Sequence, residues 1–191
     1  MRDLLALVTI LFWLVIPLFW IPVHFFSLSY KRIGLKAYLL PVLLWMPLVL
    51  VVYHYRHLLL DTKMAVPVGG VLVGWALLLA GTVLHVWTAR LLGIPGIIGV
   101  PEVLDAAQKE LVTSGPFSRV RHPTYLAHTL LFCGVFLVTG VVSVGVAAFV
   151  DFVTVNLVII PLEEKELSKR FGEAYRAYKE KVPNRLLPGV F

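Results

Sequence analysis

Five stretches of the chain are almost wholly apolar, and polar positions gather between and after them. A helix that crosses a bilayer needs roughly 20 mainly apolar residues. The runs Leu4–Phe26, Ala37–Tyr53, Val66–Ala89, Thr124–Val142 and Val144–Leu162 each predict one such span. The first is too long for the core of a signal peptide, and no small-x-small cleavage site follows it, so it reads as a retained span. Pro41 and Pro47 interrupt the second run, which membrane helices tolerate when neighbours satisfy the freed carbonyls. In the third, Gly70 and Gly74 stand four apart and predict close helix packing. Almost nothing separates the last two runs, and Ser143 and Gly145 suggest a tight helical hairpin there. Asp151 and Asn156 lie within the fifth run and are expected to face the bundle interior or the interface.

The polar stretches have their own pattern. From Arg90 to Pro123 the apolar density falls, and beyond Pro161 the chain turns charged. In the tail, Leu167, Phe171, Tyr175, Tyr178 and Val182 recur at helical spacing. That stripe predicts one amphipathic helix lying on the membrane surface or over the spans, ended by Pro183.

Composition sharpens this picture. Of 191 residues, 59% are hydrophobic and 15% charged, which excludes disorder and almost any water-soluble enzyme. The single cysteine, Cys133, excludes an internal disulfide and any cysteine-based metal cluster, and reads as a small buried hydrophobe. The fold class is therefore all-α integral membrane: about five transmembrane helices with a cytoplasmic C-terminal amphipathic helix. Residues 1–89 form three N-terminal spans, and residues 90–191 carry the chemistry.

Charge sets the topology. With the N-terminus outside, Arg2, Arg56 and Lys63 face outward and the other fourteen Lys and Arg face the cytoplasm. The net charge of +6 suits contact with anionic lipid. A nucleic-acid partner is not expected, because no basic patch is interleaved with aromatics.

Two polar clusters stand at membrane edges. Gly115 to Tyr125 contains Arg121-His122-Pro123 and leads into the fourth span, while Glu163-Glu164 leaves the fifth. The hairpin brings them side by side. Arg121 and Glu164 could clasp one another, or face the opposite charges of a bound zwitterion; the second arrangement is the one expected. His54 and His57 are too isolated to suggest metal catalysis, and no metal site is expected. His24 and His85 read as interfacial or satisfied in the core.

The order Leu111-Val112-Thr113-Ser114-Gly115-Pro116-Phe117, Arg121-His122-Pro123-Thr124-Tyr125, Gly134, Glu163-Glu164, Phe171-Gly172-Glu173-Ala174-Tyr175 and Val182-Pro183 resembles the isoprenylcysteine carboxyl methyltransferase family. Related membrane phospholipid methyltransferases share the Arg-His-Pro-x-Tyr and Glu-Glu elements. The likeness runs from about Lys109 to Pro188. It implies an S-adenosylmethionine-dependent methyltransferase, releasing S-adenosylhomocysteine, whose lipid-like or lipidated acceptor enters from the bilayer. It implies Arg121, Glu164 and Lys181 as catalytic residues. The cofactor would lie among Lys109, Leu111, Val112, Gly115, Phe117, Arg121, His122, Pro123, Tyr125, His128, Glu163, Glu164 and Tyr175.

The residue types suit that ligand. Arg121 and His122 can pair with its carboxylate, a glutamate with its ammonium or ribose, and the aromatic rings with adenine. The chain departs from the family pattern at Lys109, where a His is common, and at Ala127-His128, where a Gly often stands. It departs again in the apolar stretch Leu92–Val100 and in an extra residue before Pro188. A phospholipid amine or a hydrophobic thiol would need only a different acceptor pocket. A sterol-type reductase using NADPH and a non-enzymatic scaffold are the remaining alternatives.

Overall fold

A computed structural model describes residues 1–104 and 110–187. Among these the chain is mostly helical and contains no β-strand. It is an all-α membrane protein: four helical segments are long and apolar enough to cross a bilayer, and a shorter apolar helix accompanies them.

The first predicted span is two helices, α1 (Arg2–Trp13) and α2 (Val15–Phe25), jogged at Leu14. A short helix, α3 (Ser27–Ile33), and a 3-10 turn lead into α4 (Leu39–His54), the second span. After α5 (Arg56–Asp61), the third span, α6, runs from Val68 to Ile97, eight residues beyond its predicted end. It continues because Leu91 and Leu92 keep it apolar, and it kinks where Gly93 takes a φ of 70°. The four-residue α7 (Val100–Val103) completes this bend.

Helix α8 (Pro123–Thr139) packs along α6, and small residues set how closely. A Cβ added to Gly74 would stand 3.0 Å from the Gly134 carbonyl, and one added to Gly81 would stand 3.0 Å from the Ala127 carbonyl. The expected Gly70 plays no part in this seam, since the nearest atom to its added Cβ is Val66 of the same segment. The contact stripe uses residues seven apart, Gly74 and Gly81, because two full turns return a helix to nearly the same face.

The hairpin turns at Gly140–Val141 and not at Ser143 and Gly145. Gly140 adopts a φ of 70°, and a side chain there would run into the Met64 carbonyl oxygen. Met64 N–H donates to the Gly140 carbonyl (2.7 Å) and Val142 N–H to that of Thr62 (3.0 Å). Ser143 instead donates to the Leu59 carbonyl at 2.6 Å. Gly145 lets α9 (Val142–Thr154) approach the Phe136 ring.

From α9 the chain passes through a π turn, Val155–Ile159, into α10 (Ile160–Phe171). Asp151 is buried and accepts from Trp13 Nε1 at 3.1 Å, so it faces the interior as expected. Asn156 Nδ2 donates to the Phe152 carbonyl of its own helix at 2.7 Å. The tail is not one helix. α10 is a direct extension of the fifth span, and Gly172 (φ 55°) redirects the chain into α11 (Glu173–Lys181). The predicted stripe survives the break, with Tyr175, Tyr178 and Val182 buried against Leu111, Leu167 and Phe171.

Contacts define two polar ends of the bundle. At one, Lys63 pairs with Asp3 at 2.7 Å beside the hairpin turn. At the other, Arg170 on α10 reaches the Pro101 carbonyl at 3.2 Å, and the tail folds back over the start of α8.

Candidate active site

The second end holds a cavity. Its volume is about 120 Å³, and it is partly open to solvent. Pro123 starts α8, where its missing N–H costs no hydrogen bond and its fixed φ suits a first helical turn. That start aims Tyr125 and His128 into the cavity from one helix face. Leu111, Val112 and Phe117 come from the segment before the helix, Glu163 from α10 and Tyr175 from α11.

Arg121 and Glu164 are paired with each other. Arg121 Nε donates to Glu164 Oε1 at 2.8 Å, with both side chains 6% exposed. Arg121 Nη1 also donates to the carbonyls of Val182 (2.7 Å) and Pro183 (2.6 Å). The amides of Arg121 and His122 donate to the carbonyls of Asn184 (2.9 Å) and Arg185 (3.0 Å). The residues from Val182 to Arg185 are thus a strap fastened to the Arg-His-Pro motif, a role no spacing in the sequence announced.

Glu164 collects further donors. Lys179 Nζ donates to its Oε2 at 3.1 Å, His122 Nε2 lies 3.3 Å from Oε1, and Arg185 Nη2 lies 3.8 Å from Oε2. Glu163 differs: its Oε2 is buried without a hydrogen-bond partner, with His122 Nδ1 3.6 Å away. The adjacent glutamates point to different surroundings because neighbours on a helix do not share a face.

The tail covers the site through its tyrosines. Tyr178 donates to the Phe117 carbonyl at 2.7 Å, and burial pushes its hydroxyl up to about 12. Tyr175 is 1% exposed and its hydroxyl has no partner; burial raises it well above the usual range, with Glu164 and Glu163 adding to the shift.

The expected site residues separate into groups. Leu111, Val112, Phe117, Arg121 and His122 line the cavity, as do Tyr125, His128, Glu163 and Tyr175. Glu164 stands behind the wall, holding Arg121. Pro123 is buried in the first turn of α8, and Gly115 belongs to a separate depression beside Trp87. Lys181 lies in the last turn of α11, away from the lining. Lys109 falls outside the described residues.

Sequence reasoning missed Trp20, His85 and Glu102, which also line the cavity. Trp20 arrives from α2 and meets Tyr125 edge-on at 6.5 Å. His85 is not satisfied within the core. Its ring lies 5.2 Å from that of His128, and each has a buried Nδ1 without a partner. The Gly81 contact with α8 brings the two rings together, four and one residues further along their helices, which a single apolar run could not reveal. His24 is likewise unpartnered at both nitrogens and stacks on Trp20 at 5.4 Å.

The described residues thus form a helical membrane bundle with a cavity at one end, lined by apolar and charged side chains and covered by the chain's own tail. Residues 70–174 match the phospholipid methyltransferase family model. The chain belongs to that family, whose model spans the α6–α8 seam, the Arg-His-Pro segment and the glutamate pair. It is 32% identical over 125 residues to a methanethiol S-methyltransferase of Pseudomonas deceptionensis, covering 62% of this chain and 43% of the relative. It is 31% identical over 119 residues to a methanethiol S-methyltransferase of Crocosphaera subtropica, covering 62% and 44%. It is also 28% identical over 98 residues to a Delta(14)-sterol reductase of Mus musculus, covering 51% and 23%. The chain thus spans less than half the length of each of these relatives. No solved structure matches it.

Proposed function

We propose that the chain is an S-adenosylmethionine-dependent methyltransferase acting on a lipophilic acceptor at the membrane. The observation that supports this most directly is the donor and acceptor set of the cavity. It combines Arg121 and His122, the unpartnered oxygens of Glu163 and Tyr175, and the rings of Phe117 and Tyr125 under the tail. Such a set suits a ligand that is both zwitterionic and aromatic. In this reading Arg121 and His122 face the ligand's carboxylate, Glu163 its ammonium or ribose, and the aromatic rings its adenine. The Arg121–Glu164 pair holds the wall and fixes the guanidinium in place.

The bound donor supplies a methyl group on a positively charged sulfur, and transfer is an in-line displacement. Alignment then contributes most of the rate, so the protein's task is to position both partners and exclude water. The acceptor enters past the apolar wall of Trp20, Leu92 and Ile97. The two methanethiol S-methyltransferase relatives favour a hydrophobic thiol over the carboxylate of a prenylated cysteine. A phospholipid amine is the further alternative. The N-terminus lies outside and the cavity end faces the cytoplasm, in accordance with the excess of Lys and Arg there.

The Delta(14)-sterol reductase relative favours a second reading, an enzyme using NADPH. Equilibrium binding of labelled S-adenosylmethionine to the detergent-purified protein separates the two. Saturable binding that S-adenosylhomocysteine displaces and NADPH does not is the expected result. Binding of NADPH with no binding of S-adenosylmethionine would overturn it. Membrane extracts made with and without the active protein then identify the acceptor as a species heavier by one methyl group.

A further inference from the structure

Glu102 belongs to none of the motifs above, yet it lines the cavity and is only 8% exposed. It sits on α7, placed there by the bend that begins at Gly93. Its Oε1 lies 3.5 Å from Arg170 Nη2. That guanidinium is shared between two carboxylates, since it also donates to Glu166 at 2.6 and 3.0 Å, and its Nη1 is buried without a partner. The other oxygen, Oε2, is buried with no hydrogen-bond partner. Glu163 Oε2 is in the same condition on the same cavity. Among the described lining residues, Arg121 carries the guanidinium, and it is tied to Glu164 and to two backbone carbonyls. The under-compensated charge in the cavity is therefore negative. A buried carboxylate is costly until a cation or a donor reaches it.

We propose that Glu102 is a cation-binding residue of the cavity, which with Glu163 holds a positively charged group of the methyl donor, its ammonium or its sulfonium. This rests on the methyl-donor reading above and adds a contact from outside the Arg-His-Pro and Glu-Glu elements. It also orients the ligand, with its carboxylate toward Arg121 and His122 and its cationic part toward α7.

The test is equilibrium binding of S-adenosylmethionine and S-adenosylhomocysteine to the full chain in detergent, with melting temperature recorded for each variant. Glu102→Gln is expected to weaken S-adenosylmethionine about tenfold or more, as for one lost charged contact. Equal weakening of S-adenosylhomocysteine, which keeps the ammonium, places that group at Glu102. Weakening of S-adenosylmethionine alone places the sulfonium there, and either result supports the proposal. Glu102→Asp, which keeps the charge, is expected to bind better than Glu102→Gln. Affinities within twofold of the parent for both ligands would overturn the proposal. So would recovery of affinity in a Glu102→Gln/Arg170→Gln double variant, which would mean that Glu102 serves only to neutralise Arg170. A parent protein that binds neither ligand would overturn the methyl-donor reading itself, before any variant is compared.

Discussion

Helices α4 and α8 are both apolar, and their surroundings have little in common. α4 buries one residue, Pro41, of sixteen, and leaves Leu43 and Leu50 about two-thirds exposed. α8 buries seven of seventeen, among them Pro123, Tyr125, Ala127 and Gly134. The apolar window around α4 is 11% buried and that around α9 and α10 is 33% buried. Lipid is as apolar as leucine, so hydrophobicity drives a helix into the bilayer without saying which face meets protein. Small residues and polar ones carry that second kind of information. α8 has both, and α4 has a proline-interrupted run of leucine and valine.

The comparison can be broken most severely at the Arg121–Glu164 pair. Arg121→Ala or Glu164→Ala is expected to cost about 3–5 kcal/mol, because one buried charge loses its partner. Thermal melting in detergent reads the effect. Exchanging the two charges would not repair it: an arginine at position 164 would stand beside Lys179 and Arg185. An Arg121→Met/Glu164→Leu double variant is expected to regain much of the stability while binding no S-adenosylmethionine, since the wall is kept and the charges are lost.

The helix seam is the next place to press. Gly134→Val is expected to cost about 1–3 kcal/mol, because even its Cβ would meet the Gly74 carbonyl at 2.9 Å and Leu78 beside it. Gly69→Ala, in open space on the same α6, serves as the control and should melt with the parent. Equal shifts for both variants would show that the seam is not where the two helices lock.

The smallest effect is expected on α4. Leu43→Ala and Leu50→Ala should change stability by no more than about 0.5 kcal/mol, as for other positions outside the packed interior. A large loss at either would mean that this face meets another protein surface and not lipid.

Much of the site was legible because chemistry at a membrane edge is conspicuous. Arg121, His122 and Glu163 stand out in a chain so poor in charge, and the period of Tyr175 and Tyr178 marked a covering helix. The two residues expected to face a ligand together, Arg121 and Glu164, turned out to hold each other. A charge at a helix end has the same appearance in a sequence whether its partner is protein or ligand. His85 and Glu102 were unreadable for a different reason. Each lies in a segment whose direction is set by a glycine, Gly81 at the seam and Gly93 at the kink, and their significance comes from what those glycines bring near.

By itself the sequence determined that the chain is a bundle of membrane helices, where the apolar segments fall, and where the polar clusters stand. Those properties depend on one-dimensional quantities: the length of apolar runs, the placement of charge and the order of motif residues. The tertiary structure decided the hairpin turn at Gly140, the break at Gly172, the strap from Val182 to Arg185 and the division of labour between Glu163 and Glu164. These depend on which backbone positions can take a positive φ and which atoms arrive within hydrogen-bonding distance from residues up to 80 apart, as Val142 and Thr62 are. Short-range hydrogen bonds and steric contacts fall off within a few ångströms, so only the folded chain can say which of them are made.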